Sequence, residues 1–237
     1  MTALKPTSKS TLAATVAALR ADALAHEDGE VIGSEDSLIA RHGVSRPTLR
    51  QAAALVAQEQ LLQVKRGVGG GYVARRPTSR AVAHMAAIYL RTRGAGLGEI
   101  VQSVEPIRTE LARLAAAELD EESRADLLDY LRREAESVAE GLSFRAFLKG
   151  EREFGRVLGR ASRNHVLSLF LEILYDLAGS LKPEQDLILG RPERMTLYRQ
   201  RRIQIAEAVL DGDGEMAALA ARRCSALSIQ WMSEDAE

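Results

Sequence analysis

Residues 43–71 constrain this chain more than any other stretch, because a helix start sits between two glycine breaks. Ser45 is a preferred N-cap residue, and Pro47 falls in the first helical turn, where a missing N–H costs nothing. Leu49, Ala52, Ala53 and Val56 follow at i, i+3, i+4 and i+7, the spacing of one buried helix stripe. The spacing predicts a helix from Ser45 to about Glu59–Gln60. Gly43, just before it, suits the left-handed position that ends a preceding helix. That shorter helix is predicted from Ser34, an N-cap candidate, to Arg41, with Leu38 and Ile39 facing inward. After the longer helix, Leu62–Lys65 and Tyr72–Ala74 flank the glycine-rich run 67–71, which predicts a β-hairpin. Helix, helix, hairpin is the order of a winged helix-turn-helix.

The rest of the chain reads as helix. Leu12, Val16, Leu19 and Ala23 recur at helical spacing over about 11–26, and the acidic segment His26–Gly33 reads as a turn. Arg75–Ser79 is polar and contains proline, so residues 75–80 read as a linker. Beyond it helical periodicity appears at about 81–93, 99–118, 121–140, 143–161, 164–180, 193–211 and 213–232, with no strand pattern. Aromatics are scarce at 4%, while Ala, Leu and Arg, which lose little on entering a helix, are abundant. The expected fold is mainly α: a winged helix-turn-helix over 1–74, then an all-helical bundle over 81–237.

Several function classes drop out. The single cysteine, Cys224, excludes an internal disulfide and a multi-thiolate zinc site. The apolar run Leu12–Leu19 is short, Ala-rich and followed at once by Arg20 and Asp22, so it does not read as a secretory signal. Ala81–Leu90 is too short to span a bilayer, and a cytoplasmic location is expected. There is no Glu-x-x-His pair, no phosphate-binding glycine loop before a helix and no recognisable nucleophile setting, so an enzyme is not expected. Residues 1–79 hold 10 Lys/Arg and 7 Asp/Glu, a net +3 inside a chain whose total is −1. A basic front part agrees with nucleic-acid contact at that end.

Arg46 and Arg50 lie four residues apart on the helix face opposite Leu49 and Ala53. Arginines so placed can enter a major groove and donate bidentate bonds to guanine. Ser45 and Thr48 can bind phosphate or a base edge, and Arg66 with the bare backbone of Gly67–Gly71 can approach an adjacent groove. The run Ile32–Arg50 with the wing Gly67-Val-Gly-Gly-Gly-Tyr-Val73 resembles the GntR family of bacterial regulators. That resemblance implies double-stranded DNA as partner and places Ser45, Arg46, Arg50, Arg66 and Gly67 at DNA-contacting positions. Asp36 departs from it, standing where the family often has a phosphate-binding arginine.

The second half is similar to the FadR-like branch of that family, whose effector domain is called FCD. Glu105-Pro-Ile, the run Phe154–Leu167 and the run Ile205–Asp213 carry the likeness. Many FCD domains hold a divalent metal on one Asp and three His, but the matching positions here are Glu151, Gly155, Arg202 and Cys224. A fixed cation and a glycine among them imply that the metal is lost, so no metal or cofactor is expected. The resemblance then implies a homodimer on a palindromic operator, controlled by a small anionic or acyl effector. Arg202 is the leading effector contact, with Glu151, Cys224 and Arg108 beside it, Arg108 compensating for Val101 at the family's arginine position. The alternative is a constitutive DNA-binding dimer whose bundle only dimerises. Asn164 is expected to be structural, and His84 and His165 to be surface or satisfied residues.

Overall fold

The computed structural model describes residues 8–65, 67, 70–139, 143–179 and 187–235. The chain divides into two compact units, Met1–Thr78 and Ser79–Glu237.

The first unit holds α1 (Ser8–Ala25), β1 (Val31–Gly33), α2 (Glu35–His42), α3 (Arg46–Gln58), β2 (Leu62–Lys65) and β3 (Gly71–Ala74). Ser34 caps α2 by accepting from Ser37 N, and Gly43 ends it with φ 62°, a left-handed conformation that glycine adopts without strain. Ser45 caps α3 by accepting from Thr48 N. Leu49, Ala52, Ala53 and Val56 are all buried, as their spacing requires, against Leu19 and Ala23 of α1 and Leu38 of α2. The three strands form an antiparallel sheet in the order β1-β3-β2. Leu62 pairs with Ala74 and Lys65 with Gly71, which makes the expected hairpin.

One expectation needs correction: the end of the predicted turn His26–Gly33 is a strand, because Val31 pairs with Val73 along the outer edge of β3. Gly71 makes that approach feasible. A Cβ there would lie 2.7 Å from the Gly33 carbonyl oxygen, which is backbone and cannot swing aside.

The second unit is helical throughout its described residues: α4 (Ser79–Thr92), α5 (Leu97–Ala117), α6 (Glu121–Ala139), α7 (Phe144–Ala161), α8 (His165–Ala178), α9 (Pro192–Leu210) and α10 (Gly214–Glu234). The seven helices fall where the periodicity placed them, though α4 begins inside the segment read as linker. Asn164 caps α8, accepting from Leu167 N at 3.0 Å, and His84 and His165 are exposed. Helix α5 packs along α10, which in turn packs along α9. Fully buried alanines, Ala112 and Ala115 of α5 with Ala217 and Ala221 of α10, leave room for that close approach. Phe154 and Leu158 of α7 and Ile205 and Val209 of α9 complete the core. Among the described residues no helix is long and apolar enough to cross a membrane.

Gly71→Val should destabilise the first unit by about 1–3 kcal/mol, the usual result of forcing atoms into a packed site. A lower unfolding midpoint in thermal or urea denaturation checks this; an unchanged midpoint refutes the strand contact.

Candidate functional site

On the first unit, Ser45, Arg46 and Arg50 are exposed on the free face of α3. Thr48 is half-buried, its hydroxyl 2.8 Å from Ser45 Oγ. The side chains of Arg46 and Arg50 are 52% and 65% exposed. Both lean toward the start of α2. Arg46 pairs with Glu35 at 2.9 Å and Asp36 at 2.6 Å, and Arg50 pairs with Glu35 at 2.6 Å. The hydrogen bond from Arg50 holds the Glu35 carboxyl below the usual carboxylate range. Gly67 begins the hairpin tip with φ 101°, a conformation for glycine, and its carbonyl accepts from Gly70 N at 2.9 Å. Arg66 lies outside the described residues.

The second unit contains a cavity of about 390 Å³. Its wall is apolar along Ile100, Val101 and Val104 of α5 and Phe144, Phe147 and Leu148 of α7. Its polar end is made by Arg108, Glu151, Tyr175, Tyr198 and Ser225. An apolar enclosure with a few convergent polar groups is the usual form of a small-molecule site.

Behind that end lies a chain of buried charge. Arg202 is fully buried; it reaches Glu134 at 2.5 Å and Glu151 at 3.0 Å. Arg199 also pairs with Glu134, at 2.8 Å. Glu151 Oε1 accepts from Tyr198 Oη at 3.0 Å, and Arg108 stands 3.6 Å from the same oxygen. Weakly hydrated guanidinium groups tolerate such burial when stacked on rings. Arg202 lies 5.4 Å from the Phe147 ring centre and Arg108 5.6 Å from that of Tyr198. Burial pushes the Glu151 carboxyl up, but Arg108 and Arg202 outweigh it and hold it below its ordinary range. Gly150 makes room for the network, since a Cβ there would run into the Glu134 carboxylate.

The four proposed effector residues therefore separate. Arg108 and Glu151 line the cavity; Arg202 and Cys224 do not. Arg202 is spent on two carboxylates, Glu134 and Glu151. Arg108 donates to Cys224 Sγ at 3.3 Å, and burial pushes that thiol up to about 11, so it stays protonated near neutrality. Glu134, Arg199, Tyr175 and Tyr198 escaped the sequence reading. For Tyr198 and Arg199 the signal was present: Met195, Tyr198, Arg199, Arg202, Ile205, Ala206 and Val209 form one helical stripe, and two arginines sit on it.

These residues do not fit a divalent metal. Arg202 brings a cation into the centre of the four matched positions. Gly155 has no donor, and a Cβ on it would meet the Tyr175 ring at 2.5 Å, so the space of a side-chain ligand is taken. Among the described residues no group of three or more His, Cys, Asp or Glu could hold an ion.

Residues 99–226, more than half of the chain, match the FCD domain family. The chain belongs to the FCD-domain family. It is 26% identical over 147 residues to the Uxu operon regulator of Haemophilus influenzae. That match covers 62% of this chain and 52% of the relative, about half its length. Its fold is similar to that of a GntR protein of Streptococcus agalactiae, with a TM-score of 0.73 and 16% identity over 92% of this chain and 98% of that one. It is also similar to McbR/YncC of E. coli, with a TM-score of 0.50 and 14% identity over 96% and 99% of the two chains.

Arg202→Met should lower stability by about 3–5 kcal/mol in denaturant unfolding, because two buried carboxylates lose their shared cation. Glu151 has a folded-state pKa below its unfolded one. Its contribution is thus complete above the ordinary carboxylate range and is lost as pH falls through that range and below. Glu151→Gln should flatten that acid-side loss; an acid limb as steep as in the parent would show that Glu151 does not carry it.

Proposed function

We propose that the chain is a sequence-specific DNA-binding regulator, in the first instance a repressor, whose DNA affinity is set by a small molecule in the helical unit. The observation that carries the first half is α3: a capped helix with Arg46 and Arg50 exposed on its free face. Ser45, Thr48, Arg66 and Gly67 complete the proposed contact set. The ion pairs to Glu35 and Asp36 do not oppose this. An exposed pair is worth about 0–1 kcal/mol, whereas a bidentate guanine contact discriminates by about 1–3 kcal/mol, so DNA can take the arginines from their partners. Asp36 replaces a phosphate contact with a tether that keeps Arg46 near the start of α2.

The cavity supports the second half. A bundle serving only to dimerise has no use for a 390 Å³ space with a charged end, so effector control is favoured over constitutive binding. A homodimer would place one recognition helix on each half of a palindromic operator. Effector binding would shift the population between DNA-competent and incompetent forms. We read the chain as a non-enzyme acting in the cytoplasm, with DNA, effector and a second copy as its partners.

An operator selected from random duplexes provides the test. Arg46→Ala should weaken binding to it by about 1–3 kcal/mol in fluorescence anisotropy and relax one base preference. Equal affinity of parent and variant for both operator and random duplex would refute the recognition-helix assignment.

A further inference from the structure

The charges at the closed end of the cavity do not balance. Arg108, Arg199 and Arg202 face Glu134 and Glu151, linked by the contacts already described, and all but Glu151 are more than nine-tenths buried. Among the described residues, three cations against two anions leave a surplus of one positive charge. Uncompensated buried charge is costly, so a cluster of this kind calls for one more anion.

The surplus can be placed. Arg199 and Arg202 each hydrogen-bond a carboxylate directly. Arg108 has no such bond. Its approach to Glu151 is 3.6 Å, its hydrogen bond goes to a neutral thiol, and its Nε has no hydrogen-bond partner. A guanidinium carries five N–H donors, so most of this one's capacity is open. Ser225, another of the polar lining residues, has an unpartnered buried hydroxyl. Arg152, also on the lining, is matched by Asp176 and adds no net charge.

We propose that the cavity binds a singly charged carboxylate with an apolar body, the carboxylate on Arg108 and Ser225 and the body along Ile100, Val104 and Phe147. This rests on the effector reading above and narrows it to one charge and one orientation. One carboxylate neutralises the cluster, and Arg108 receives it in the two-pronged geometry that guanidinium groups favour. A second carboxylate on the far end would be desolvated against Val101, Phe144 and Leu148, and among the described residues the further lining cation, Arg152, is already paired with Asp176. A neutral amide of the same shape would leave the surplus charge in place. The volume, about 390 Å³, sits at the lower end of the range for small-molecule sites, in keeping with a compact acid.

The test uses the full chain without DNA. Hexanoate, octanoate and phenylacetate are each compared with their primary amides, and hexanoate and octanoate also with the dicarboxylates of equal length, by thermal shift and calorimetry. At least one monocarboxylate should bind, roughly tenfold to a hundredfold tighter than its amide and, for the straight-chain acids, than its dicarboxylate. Arg108→Gln should erase the preference for acid over amide, and Arg108→Lys should keep it at reduced affinity. If Arg108→Gln fails to fold, the ligand comparison on the parent protein and Arg108→Lys still decides. Equal binding of acid and amide, tighter binding of the dicarboxylate, or no binding by any monocarboxylate overturns the proposal. Monocarboxylate binding that leaves operator affinity unchanged would uphold the proposal while refuting effector control. An amide or dicarboxylate that alone shifts operator affinity would do the reverse.

Discussion

Arg202 sits between Glu134 and Glu151 with no exposure to solvent, and much of the helical unit is arranged around that fact. A guanidinium in a protein interior needs carboxylates and ring faces at short range, because desolvation otherwise exceeds what the pairing returns. Meeting that need ties α9 to α6 through Glu134 and to α7 through Glu151. Phe147 and Tyr130 shield the cation from two sides. The register of three helices is thereby set by charge as well as by apolar packing. Such a network adds little net stability over an apolar core of equal volume, but it is intolerant of losing one member. It is better understood as a device for holding polar groups at fixed positions.

Glu151 is where this device meets the cavity. It faces Arg202 behind and Arg108 in front, and Tyr198 donates to it from the side. A change in the charge balance at Arg108 is therefore felt at Glu151, and through Arg202 at Glu134 and Arg199. That is a contiguous physical connection among α5, α6, α7 and α9, the kind of coupled set through which a bound anion could bias a packed bundle. The same set explains why the metal common among FCD domains has no place here. The guanidinium fills the role of the central cation, and the Tyr175 ring fills the space above Gly155.

The first unit works on a different electrostatic scale. Its arginine pairs with Glu35 and Asp36 are solvent-exposed and weak, so they orient Arg46 and Arg50 without committing them. Buried pairs in one unit hold their side chains in a fixed arrangement, while exposed pairs in the other leave Arg46 and Arg50 able to exchange partners.

The first unit was almost wholly legible in sequence. Its signals are local: the caps Ser34 and Ser45, the left-handed Gly43, the stripe Leu49–Val56 and the glycine tip each act within a few residues. Strand β1 was not legible, since three residues become a strand only when β3 lies beside them. In the second unit helix positions followed from periodicity, and the poor fit to a divalent metal followed from the identities at 151, 155, 202 and 224. Which of Arg108 and Arg202 lines the cavity did not follow. Arg108 and Arg202 both sit on buried helical stripes, at equal rank in any pattern. Only the packing of α6 against α9 brings Glu134 to Arg202, engaging it with a second carboxylate and leaving Arg108 as the cation with no direct carboxylate hydrogen bond. Sequence alone thus determined the elements, the family and the residue types available, because those depend on local spacing. Tertiary structure decided which charges cancel, because ion pairing depends on distances between helices that no local spacing encodes.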